Sequence, residues 1–173
     1  MTIVSETVLS SAVGMKKLHF FADDLTAAQT WELLEWCSSN GASEFTLNLL
    51  GFLDSPAPRC DEYEAAFRAF QLAESAREHL TAPSKSEVVR PTRLWRLCSE
   101  SQSVLECYLT EGLLTFPTYA EEGWFEDPTF YRDGKLMLGI VSHEGEGLGL
   151  VTADKALQFQ ALRIHTRPSA EWI

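Results

Sequence analysis

At 173 residues, with 45% hydrophobic and 23% charged side chains, the chain has the make-up of one soluble globular domain able to bury a core without staples. Its 25 acids against 14 bases leave a net charge of −11, which opposes a nucleic-acid backbone or an anionic membrane surface and draws basic partners. No apolar run approaches the roughly 18 residues of a membrane span, and the opening MTIVSETVLSSAVG lacks the charged start and continuous apolar stretch of a secretory signal.

Residues 1–14 are small, polar and weakly apolar, and read as a flexible lead-in to one domain over 15–173. KLHFFA, 17–22, is a short buried strand. In the next stretch Asp24 or Thr26 caps a helix. Ala27, Trp31 and Leu34 recur at helical spacing, with Leu33 and Cys37 widening the stripe, and Asn40-Gly41 stops it. Trp31 and Trp36 are five apart and so about 140° apart around the helix, which leaves Trp36 partly exposed. In SEFTLNLLGF, 43–52, Phe45, Leu47 and Leu49 alternate with Glu44, Thr46 and Asn48, the pattern of a strand with one buried face.

After the proline-marked loop 55–60, Asp61 and Glu64 stand in capping-box spacing before a helix over 61–80. Tyr63, Ala66, Phe67, Phe70, Ala73 and Leu80 form its apolar face. A polar connector, 81–91, follows. Residues 92–119 fit a strand and then a helix from Ser99 to Glu111, or two strands around SESQ; the first reading is favoured. Asp133-Gly134 between apolar runs marks a tight hairpin. LGLVT, 148–152, is a further strand, and Thr152 caps a last helix to about Leu162. There is no internal repeat. Helices among early strands and a late antiparallel run spell α+β: a mostly antiparallel sheet with two to four helices packed on it.

The four cysteines, Cys37, Cys60, Cys98 and Cys107, contain no pair separated by two residues, and read as reduced thiols of a cytoplasmic protein. No nucleophile elbow, Walker loop or paired-histidine zinc motif is present, so nothing in the sequence argues for an enzyme or a cofactor. One segment raises the question directly. In SHEGEG, His143, Glu144 and Glu146 offer a metal-binding or acid–base trio, but also the wet tip of a five-residue hairpin loop, 143–147. The other histidines, His19, His79 and His165, are isolated in sequence, and the hairpin tip is the favoured reading.

The strongest interaction signal lies between Arg96 and Arg132. These 35 residues contain seven acids, no base and a run of aromatics centred on TYAEEGWFEDPTFY, 118–131. Tyr119, Glu121, Glu122, Trp124, Phe125, Glu126 and Asp127, with Trp36, would make an aromatic-anchored acidic surface for a basic protein partner. The same aromatics read as sheet core with a charged edge. The expectation is a non-enzymatic acidic binding protein, of inhibitor, immunity or antitoxin type. The rival is a small enzyme or a ligand- or metal-binding domain built on His143, Glu144 and Glu146, joined by Glu121 or Asp127 where folding brings either close, and a homodimer is a further option.

Overall fold

The computed structural model describes residues 15–23, 25–52, 57–74, 87–108 and 123–167. The expected lead-in 1–14, His79, Tyr119, Glu121, Glu122 and the C-terminal tail lie outside them. The fold is the expected α+β arrangement. Among the described residues there are nine strands: β1 (Met15–Phe21), β2 (Glu44–Phe52), β3 (Gln71–Glu74), β4 (Glu87–Val89), β5 (Arg93–Arg96), β6 (Trp124–Arg132), β7 (Lys135–Val141), β8 (Glu146–Thr152) and β9 (Thr166–Arg167). The four α-helices are α1 (Ala27–Ser39), α2 (Pro58–Phe67), α3 (Ser99–Tyr108) and α4 (Ala153–Gln160).

The strands form one sheet in the order β3-β5-β2-β6-β7-β8-β1-β9, every pairing antiparallel, with β4 also pairing β2. Directly opposed residues share a face. Phe45, Phe130, Leu138, Gly149 and Leu18 therefore form one row across five strands. The helices close over that face, for Leu33, Leu34, Trp36 and Cys37 of α1, Phe67 of α2, Leu105 of α3 and Phe159 of α4 join the same core cluster. The next row of this face brings Gly147 opposite Phe20, where only glycine leaves room for the ring. On the other face the corresponding row is Thr46, Thr129, Gly139, Leu148 and His19.

Local signals explain most boundaries. Thr26 forms a full capping box with Gln29, and Asn40 ends α1. Asp133 and Gly134 take positive φ and join β6 to β7, as the turn requires. The strand-then-helix reading of 92–108 holds as β5 and α3.

Three expectations are corrected. The second helix stops at Phe67, not Leu80. A 3-10 turn, 68–70, then leads into β3, because Gln71–Glu74 finds an unpaired edge on β5. This helix starts at Pro58, whose fixed φ suits a first helical position. Asp61 and Glu64 form no cap; they face Arg90 at 2.7 and 3.7 Å. Trp36 is not partly exposed but 7% exposed. The inward face of α1 is wider than a simple stripe because it meets α4 as well as the sheet, with Trp36 edge-on to Phe159 at 5.2 Å. Finally, β2 is buried on both faces: Thr46 and Asn48, read as the solvent side, are as enclosed as Phe45 and Leu47.

Candidate functional site

His143 does have companions, though not the two its own loop supplies. The loop is shorter than read: Val141 pairs Glu146, leaving Ser142–Gly145, a 3-10 turn closed by Gly145 in the left-handed conformation. Glu146 belongs to β8 and pairs with Arg167 at 3.0 Å, and Glu144 is exposed. The acids that approach His143 come from β6. One ligand atom each from Glu126, Asp127 and His143 lie within 4.8 Å of one another.

A β-bulge makes this meeting possible. Consecutive strand residues normally point to opposite faces, so Glu126 and Asp127 would be separated by the sheet. Between Thr46↔Thr129 and Asn48↔Glu126 the register shifts: Asp127 and Pro128 together oppose Leu47. Asp127 takes φ +52°, a left-handed conformation that aspartate tolerates better than most residues. Pro128 has no N–H to give a ladder, and a bulge is one of the few places it fits inside a sheet. The bulge thus re-aims Asp127 toward the face that carries Asn48.

Both carboxylates are then held from behind. Asn48 Nδ2 donates to Asp127 Oδ2 at 3.0 Å, and the Ser142 backbone N–H donates to Asp127 Oδ1 at 2.8 Å. The Asp127 N–H in turn donates to Ser142 Oγ at 2.9 Å. The indole N–H of Trp124 reaches Glu126 Oε2 at 3.4 Å, while Glu126 Oε1 lies 3.9 Å from His143 Nδ1. Thr92 donates to Asn48 Oδ1 at 3.5 Å, and Thr46 and the Tyr131 hydroxyl share a hydrogen bond of 3.2 Å nearby. Glu126 is 2% and Asp127 0% exposed, whereas His143 is at the surface. The result is a buried polar patch in mid-sheet with an imidazole at its rim.

The residues expected to form an exposed partner surface divide differently. Trp36, Trp124, Glu126 and Asp127 are interior, and Phe125 is half-buried against Tyr63, ring centroids 4.8 Å apart. Their burial removes the exposure on which an anchoring role depends. Trp31 is the half-exposed tryptophan of α1, and Glu35, one turn on, shares its side of the helix.

Among the described residues, exposed acid is instead concentrated on the helices, and the exposed bases Lys16, Lys17, Arg68, Arg96, Lys135 and Arg163 lie outside them. Every exposed charged residue of α1–α4 is acidic: Glu32, Glu35, Asp61, Glu62, Glu100, Glu106 and Asp154. The helices' two bases, Arg59 and Lys155, are half-buried. Glu100 and Asp154 are held below the ordinary carboxylate range, Glu100 chiefly by its own backbone N–H and Asp154 chiefly by the Thr152 hydroxyl, so both remain charged.

Sequence reasoning missed Asn48 and Ser142. The one signal pointing to them was Pro128 inside an otherwise strand-like run, which marks a bulge. Of the other histidines, His19 lies on β1, its pKa lowered first by burial and then by Lys17 and Arg167. His165 joins Leu25, Gln29, Arg163 and Ile164 around a shallow cavity that does not include His143. No helix among the described residues is long and apolar enough to cross a membrane. No family model, curated protein or solved structure matches the chain.

Proposed function

We propose that this protein is a non-enzymatic acidic binding protein that engages a basic protein partner across its helical layer, as an inhibitor, immunity or antitoxin-type factor does. The observation that carries the reading is that all seven exposed charged residues of the four helices are acidic. Carboxylates ranged over one layer raise the encounter rate with a basic surface and turn acidic ones away. A half-exposed tryptophan, Trp31, stands among them beside Glu32 and Glu35 and serves as the apolar anchor. The four cysteines are free, with Cys37 and Cys60 buried, which suits the reducing cytoplasm.

The test is association kinetics with a partner captured from native lysate, compared between the wild type and a Glu32→Lys/Glu35→Lys/Glu62→Lys/Glu106→Lys variant. The variant is expected to associate at least about tenfold more slowly at low salt, with a smaller salt dependence. Trp31→Ala is expected to leave association nearly unchanged and to speed dissociation. Equal rates for all three proteins would overturn the proposal.

A further inference from the structure

We propose that Glu126, Asp127 and His143 form a site for one divalent transition-metal ion, of the Zn²⁺ or Mn²⁺ class, with its remaining coordination open to solvent at the His143 side. This inference is independent of the partner-binding reading, which uses none of these side chains.

The bulge brings three ligating side chains together. Two carboxylates from successive residues and one imidazole from a different element converge, their ligand atoms within 4.8 Å. Glu126 is 2% and Asp127 0% exposed. Burial disfavours an ionised carboxylate, and a second one beside it disfavours it further. A dication held by both carboxylates favours their charged forms.

The supporting contacts have the arrangement of an outer ligand shell. Ligating carboxylates are themselves hydrogen-bonded on the side away from the ion. Here Asn48 and the Ser142 N–H hold Asp127, and the Trp124 indole holds Glu126. The bulge and the 3-10 turn are joined through Asp127 and Ser142, which fixes the two elements that supply the ligands.

The donor set selects the class of ion. One imidazole nitrogen with carboxylate oxygens suits Zn²⁺ and Mn²⁺, whereas Ca²⁺ seeks six to eight oxygens. The 3.9 Å between His143 Nδ1 and Glu126 Oε1 is somewhat longer than the about 3.4 Å edge of a tetrahedron with bonds of about 2.1 Å. His143 lies at the surface, on the open side of the set. Three protein ligands leave at least one coordination position open to water.

The experiment is calorimetric titration of the chelator-treated full chain with Zn²⁺, Mn²⁺ and Ca²⁺, in a Cys107→Ser background that removes the exposed thiol as a competing ligand. The unaltered site is expected to bind one Zn²⁺ or Mn²⁺ per chain, to show no comparable affinity for Ca²⁺, and to melt at a higher temperature when loaded. His143→Ala, a surface change that leaves the buried network in place, is expected to weaken binding at least tenfold. Glu126→Gln is expected to do the same, read only where its circular dichroism matches the parent. Absence of saturable one-to-one binding, or binding undiminished by His143→Ala, overturns the site; in the first case the buried carboxylates are neutralised by protons or by protein contacts alone.

Discussion

Asp127 and Ser142 are bonded twice, in opposite senses. The Ser142 N–H donates to the Asp127 carboxylate at 2.8 Å, and the Asp127 N–H donates to the Ser142 hydroxyl at 2.9 Å. The pair ties the bulge of β6 to the turn after β7, and both partners are buried. Deleting one partner therefore strands a buried donor. Ser142→Ala is expected to cost about 1–3 kcal/mol, because the Asp127 N–H loses its acceptor. Asp127→Ala is expected to cost more, since it removes two acceptors and places alanine at φ +52°. Urea unfolding checks both; two variants within about 0.5 kcal/mol of the wild type would show that the pair holds nothing.

Two glycines of β8 separate packing from propensity. A Cβ on Gly147 would stand 2.0 Å from the Phe20 ring, which is buried against Phe159. Gly147→Ala is expected to lose about 1–3 kcal/mol or more through overpacking. At Gly149 the nearest atom to such a Cβ is 3.4 Å away. Gly149→Ala is expected to fall within about 1 kcal/mol of the wild type, helped by lower backbone entropy in the unfolded chain. Thermal melts that rank the two the other way would contradict the register of β8 on β1.

The thiols offer a chemical reading of the core. Burial pushes the Cys37 thiol well above its ordinary range, and Cys60, whose thiol donates to the Leu50 carbonyl at 3.2 Å, is also raised, first by burial. Cys107 is exposed on α3 and Cys98 half-buried. In native buffer near pH 8, a thiol reagent is expected to modify Cys107 first and to leave Cys37 and Cys60 unmodified until the chain unfolds. Mass mapping of Cys37 labelled as fast as Cys107 would contradict the placement of α1.

What was legible in the sequence followed local rules. The α1 cap, the Asp133-Gly134 turn, and the strands bearing Phe45, Phe130 and Leu138 each have a short-range cause. What was not legible depended on distant partners. Gln71–Glu74 carries on a helical pattern and becomes strand only because β5 lies beside it. Thr46 and Asn48 look like a solvent face and are instead enclosed with Glu126 and Tyr131. The His143 loop is legible, and so is Asp127 as a residue that folding could bring to it; Glu126, seventeen residues away in sequence, reads only as part of a surface patch. A one-residue bulge decides that assignment, and periodicity alone does not reveal a bulge.

The central claim is that the acidic helical layer is a docking face for a basic protein. The most direct test is parallel capture from native lysate on the wild type and on the Glu32→Lys/Glu35→Lys/Glu62→Lys/Glu106→Lys variant, each washed at low and then high salt and quantified by mass spectrometry. The expected result is a basic protein held by the wild type, released as salt rises and absent from the variant. The same proteins on both baits, or no basic protein on the wild type, would contradict the claim.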